Sequence, residues 1–190
     1  WRHLRPAFSW SGFFSAKSVV KNLQRFLKKR TFNELLIPFR VIATDLKDKS
    51  KYTFSKGSFI KAIQASISMP LVFKAEQHRD HLFSDGAAVD PLPVDVLKEE
   101  GMDIIIAAYP SQNSKAAKQP KHGLDIYITS RNITNDMLAE RSGAEADIFI
   151  NPDTSIYGSF EYDKALAIIT LGEREAYKKL SRSALIKEIS

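Results

Sequence analysis

Apolar residues recur along the chain at helical spacing in some stretches and as short β-branched runs in others. From Lys17 to Arg30, Val19, Val20, Leu23, Phe26 and Leu27 share one helical face, and Lys17, Lys21, Arg25, Lys28, Lys29 and Arg30 take the other. That pattern predicts a basic amphipathic helix, read either as a solvated face over a core stripe or as a surface suited to anionic membranes. Thr31 caps a turn over Phe32–Leu36, with Glu34 in capping-box register. Residues 39–46 predict a strand and residues 51–54 its hairpin partner, with Asp48 and Lys49 in the turn. A helix follows from about Ser58 to Ser66, with Phe59, Ile60 and Ile63 inward, and Pro70 stops it.

The segment from Phe83 to Val94 reads as the end of a short apolar strand, an Asp85-Gly86 turn and a passage through Pro91 and Pro93 into a helix. Glycine takes positive φ without steric cost, so Asp-Gly between apolar runs marks a turn. A carboxylate at such a strand end serves either as plain punctuation or as a place for chemistry. Pro93 opens the helix over Val94–Glu100, and Gly101 closes it. Residues 103–109 are near-continuously apolar, as in a strand covered on both faces. Strand, helix and strand in that order predict a right-handed parallel crossover. Residues 110–123 are polar and basic, a loop at the rim where open α/β sheets bind ligands. Residues 124–141 predict a helix, 146–150 a strand, and Asp163 onward a long terminal helix. The sum is one α/β domain over residues 1–190.

Composition narrows the function classes. With 190 residues and 44% hydrophobic content the chain is large enough for a real core. It has no cysteine, which excludes disulfides, Cys-based zinc sites and a thiol nucleophile. The net charge of +6 favours anionic surfaces without naming a partner. No run approaches the roughly 18 apolar residues of a membrane span. Residues 1–16 are aromatic and irregular, and the first residue is Trp1.

Several motifs fail on their spacing. His78 and His81 are three apart, are expected to diverge in a turn, and lack a third ligand at convincing spacing, so no metal is expected. His81, Ser84 and Asp85 are triad-type residues, but strand neighbours point to alternate faces. There is no phosphate loop, no dinucleotide fingerprint and no Gly-x-Ser-x-Gly elbow. The basic residues have no interleaved aromatic platform, so nucleic acid is not an expected partner.

Taken in order, a set of segments resembles the patatin-like phospholipases. Residues 31–46 (TFNELLIPFRVIATDL) are similar to that family's approach to its "ATDL" strand, and residues 65–73 (ASISMPLVF) to its A-S-x-x-x-P-x-x-F segment. Residues 84–93 (SDGAAVDPLP) are similar to its D-G-[GA] motif and the N-x-P-x-P that follows. Residues 101–107, 146–153 and 158–160, with the terminal helix, resemble its later portion. Asp90 stands where the family more often has asparagine, and Leu71 where glycine is usual. The family's glycine-rich oxyanion loop and Gly-x-Ser-x-Gly serine lie upstream of everything matched here.

The resemblance implies a three-layer α/β sandwich with a mostly parallel central sheet, here incomplete at its N-terminal side. It implies ester hydrolysis by a Ser-Asp dyad without histidine or cofactor, in which Asp85 is the aspartate and takes the serine proton. The expected substrate is a phospholipid or other lipid ester, in a cytoplasmic protein with peripheral contact to anionic membrane. Lacking the serine, the chain alone is expected to be inactive and N-terminally truncated. Two other readings stand beside this one: a non-catalytic lipid- or anion-binding module using the basic helix and the 115–122 loop, and a protein-association module.

Overall fold

A computed structural model describes residues 6–9, 12–14, 20, 21, 24, 31–111, 119–158 and 161–183. Apart from residues 20, 21 and 24, the basic helix expected over 17–30 lies outside the described residues, as do residues 112–118 of the expected 110–123 loop and residues 184–190 of the expected terminal helix. The chain divides into two compact units, Trp1–Pro91 and Leu92–Ser190.

In the first unit, β1 (Pro6–Ser9) pairs antiparallel with β2 (Gly12–Phe14). The body of the unit is a four-stranded sheet of β3 (Val41–Asp45), β4 (Ser50–Phe54), β5 (Glu76–His78) and β6 (His81–Asp85), in the order β4-β3-β6-β5. Helix α1 (Phe59–Ser66) packs on it, its first turn capped by Ser58 Oγ, which accepts from Lys61 N at 3.3 Å. Alternation along β3 sends Val41 and Ala43 into a core with Phe32, Phe54, Phe59, Ala62, Ala65 and Phe83. The expected hairpin and helix are therefore present at nearly their predicted bounds.

The direction of the strands differs from expectation. The chain is α/β, but the four-stranded sheet is antiparallel throughout, and parallel pairing among the described residues joins β7 (Ile106–Ala108) to β8 (Ile148–Ile150), with one further parallel bridge between Ser111 and Asp153. The reason is local. The tight turns that hold Lys49 and Arg79, both at φ 53, join neighbouring strands, and a few residues can return a strand only antiparallel. The crossover expected between residues 83 and 109 likewise does not pair its two strands: β6 bonds β3 and β5, whereas β7 bonds β8.

In the second unit, α2 (Val94–Glu99) ends at Gly101, whose φ of 74 suits a helix stop. Helix α3 (Gly123–Gly143) makes the parallel crossover from β7 to β8, and α4 (Ala165–Arg182) follows a 3-10 turn. The core gathers Leu92, Val94, Ile105, Ala107 and Ala139. Strand β7 is shorter than predicted and packs on one face only. Ile105 and Ala107 are buried while Ile104 and Ile106 are exposed, which corrects the reading of a strand covered on both sides. No helix among the described residues is long and apolar enough to cross a membrane.

Candidate active site

Asp85 is the last residue of β6 and stands opposite Ala43 of β3. Its backbone is held from two sides. The N–H donates to Ser68 O at 3.1 Å, and the carbonyl accepts from Thr44 Oγ1 at 2.7 Å. Ser84 Oγ also donates to Ser68 O at 3.1 Å, and Ser68 Oγ donates to Gln64 O at 2.7 Å, tying the strand end to α1. The half-buried carboxylate then caps the 3-10 turn Gly86–Ala88, with Oδ1 accepting Ala87 N at 2.9 Å. The side-chain direction is thus set by a main-chain donor, Ala87 N, that cannot rotate away.

Gly86 makes this turn sterically possible. A Cβ there would stand 2.2 Å from Ile42 O and 2.8 Å from Ile42 C, so the turn lies against the backbone of β3. Beyond it, Lys51 Nζ bonds Asp90 Oδ2 at 3.0 Å, an ion pair that uses the carboxylate at a position where the resembling family more often has an amide. Leu71, at the other departure, has φ 66, the left-handed region that favours glycine.

A second carboxylate ends β3, two residues along from the Ala43–Asp85 pair. Asp45 is 1% exposed; its Oδ1 accepts from Lys47 N at 2.9 Å and Asp48 N at 3.3 Å, and its Oδ2 is hydrogen-bonded to His81 Nδ1 at 2.5 Å. Burial alone would raise the Asp45 pKa, but the Asp48 N–H, the His81 contact and the Lys47 N–H together hold it below the ordinary value. Asp48 Oδ2 is 3.7 Å from the same imidazole nitrogen. Among the described residues, these three bring donor atoms with the chemistry to hold a cation within 4.8 Å of one another. Both Asp45 oxygens are engaged by protein donors, so the cluster reads as a clamp between strand ends.

The two histidines do not diverge as expected. The 79–80 turn puts His78 opposite His81 across the β5–β6 ladder, and it is His81 that finds carboxylates. His81, Ser84 and Asp85 bond Asp45, Ser68 and Ala87 respectively, so no triad assembles from them. In the second unit, the Tyr109 hydroxyl donates a hydrogen bond to buried Asp136. Burial first, then the Asp136 charge and hydrogen bond, push the Tyr109 pKa up against the opposing effect of Arg131. A cavity of about 500 Å³ in that unit is lined by Asp147, Phe149, Lys178 and Arg182 among others, and includes none of the Asp85 turn.

A family model described as patatin-like phospholipase matches residues 1–98, more than half of the chain and all of the Asp85 turn. The chain belongs to the patatin-like phospholipase family. An uncharacterized NTE family protein of Mycobacterium bovis is 30% identical over 106 residues, 56% of this chain and 29% of its own length, and the Mycobacterium tuberculosis protein matches equally. Patatin-like phospholipase domain-containing protein 7 of Mus musculus is 26% identical over 102 residues, 51% of this chain and 7% of its own length. This patatin-like chain therefore spans less than a third of the mycobacterial relatives it matches.

The residues of the patatin-like turn that sequence reasoning missed are Thr44 and Ser68. Both lie inside segments already singled out, 31–46 and 65–73. A hydroxyl at a buried position of an apolar segment was the available signal, since such a group must find a partner.

Proposed function

We propose that this chain supplies the general base of a lipid acyl hydrolase, with Asp85 acting on a serine held outside these 190 residues. In this scheme the Asp85 carboxylate takes the serine hydroxyl proton as the oxygen attacks the ester carbonyl. Collapse of the tetrahedral intermediate breaks the ester C–O bond, and the proton passes from Asp85 to the departing alcohol. Water then attacks the acyl-enzyme, its proton goes to Asp85 and on to the serine, and the carboxylic acid leaves. Oxyanion donors would come with the serine-bearing segment.

The observation that carries this reading is the clamp on Asp85: Ser68 O, Thr44 Oγ1 and Ala87 N fix its peptide and one carboxylate oxygen. A base fixed in advance needs little reorganisation at the moment of proton transfer. Family membership supports hydrolysis of lipid esters as the broader activity.

The test is a fluorogenic ester assay on a polypeptide carrying these residues within their natural flanking sequence. Asp85→Asn should lower kcat by about a thousandfold or more while leaving the folded secondary structure intact, by analogy with loss of a general base. Near-wild-type turnover in that variant would remove Asp85 from the chemistry. The 190-residue chain alone is expected to show no turnover.

A further inference from the structure

The loop that leads into β3 carries apolar side chains on its outside. Leu36 is 96% exposed, Ile37 78% and Phe39 47%, with Pro38 between them. Single exposed apolar residues are ordinary, but a contiguous run of this kind marks an interaction surface. The excursion is held at both ends. Leu35 packs against the core, and its N–H bonds Phe32 O at 3.1 Å. The Phe39 ring meets Phe59 edge-on at 5.3 Å, and Phe59 meets Phe32 in the same way at 5.5 Å. Leu36 and Ile37 therefore project between two fixed points.

The position of the loop gives it a partner. It enters β3 at Val41, and the antiparallel β6 runs toward that same end, stopping at Asp85 opposite Ala43. Two residues of strand separate the two levels, about 7 Å. Arg40 follows the loop directly, and Lys56 precedes Gly57, whose carbonyl bonds Phe32 N at 3.2 Å. Lys28, Lys29 and Arg30 precede the turn in sequence, and the whole chain carries +6. Two copies of a chain carrying +6 repel each other, whereas an anionic bilayer attracts it.

We propose that Leu36–Phe39 is a lipid-inserting finger that seats the Asp85 end of the sheet on an anionic membrane surface. This deepens the lipid-ester reading and rests on it for the choice of bilayer, while its test needs no turnover. Apolar side chains enter the acyl boundary and the flanking cations remain at headgroup level, as for other interfacial anchors.

The full chain contains no cysteine, so Leu36→Cys can carry a single nitrobenzoxadiazole label. Phosphatidylcholine vesicles with about 30 mol % phosphatidylglycerol should shift the emission to the blue, and brominated acyl chains should quench it. A label at Lys47→Cys, at the other end of β3, should do neither. Leu36→Ser with Ile37→Ser should weaken partitioning at least about tenfold with unchanged circular dichroism, since both side chains are exposed. Emission at position 36 unaltered by vesicles would overturn the proposal. So would emission already blue without lipid and dependent on protein concentration, which would mean that protein covers the loop. Vesicle insertion without ester turnover in the flanked polypeptide would count against the hydrolase reading alone.

Discussion

Gly86 shows how much one missing Cβ decides. Its place against Ile42 O leaves no room for a methyl group, and the obstacle is backbone rather than a side chain that swings aside. Gly86→Ala should therefore lower stability by about 2–4 kcal/mol, read by urea unfolding, or displace the turn and Asp85 with it. Leu71 presents the opposite case. It holds a left-handed conformation, with its side chain 47% exposed and little packing to lose. Relief of that conformation outweighs the extra freedom glycine brings to the unfolded chain, so Leu71→Gly should raise stability by up to about 1 kcal/mol in thermal unfolding.

Strands β3 and β6 are joined by their ladder and by polar contacts at two levels: Thr44 with the Asp85 carbonyl, and Asp45 with His81. Folding lowers the Asp45 pKa, so the stabilisation is fully present above the ordinary carboxylate value and is lost as pH falls through the lower, folded-state value. Acid titration of the wild-type chain should show this loss below about pH 4. Asp45→Asn should flatten that limb and cost about 1–3 kcal/mol at neutral pH, because the buried carboxylate that accepts from Lys47 N, Asp48 N and His81 is replaced by an amide with one weaker acceptor. An acid limb identical in variant and wild type would show that Asp45 titrates alike in both states. The β3–β4 hairpin and α1 were legible because their signals are local: a turn of a few residues, a serine cap, apolar residues at the right period. The ladder between β3 and β6 was not, since its contacts join residues about forty positions apart and no local pattern specifies which strands meet.

The chain as a whole carries 28 basic and 22 acidic residues, and its described helices offer no membrane-spanning segment. On the proposed reading, attraction to anionic lipid combines the net positive charge of the chain with the Leu36–Phe39 finger. Vesicle binding should weaken steeply as salt rises from about 0.05 to 0.5 M, since the screening length falls below the spacing of surface charges. Binding that ignores salt would leave the apolar loop as the sole contact. The patatin-like match includes the whole Asp85 turn, and the chain spans 29% of the length of the mycobacterial relatives it matches.

The order of apolar and polar residues by itself determined the hairpin, the helices among the described residues, the Asp-Gly turn and the family, because each depends on neighbours within a few positions or on motifs in a set order. Tertiary structure alone decided that Ser68 and Thr44 hold Asp85, that His81 serves Asp45, and that Leu36 and Ile37 stand outside the core. Those outcomes depend on which distant segments bury one another, and burial is a property of the assembled chain that no short window of sequence contains.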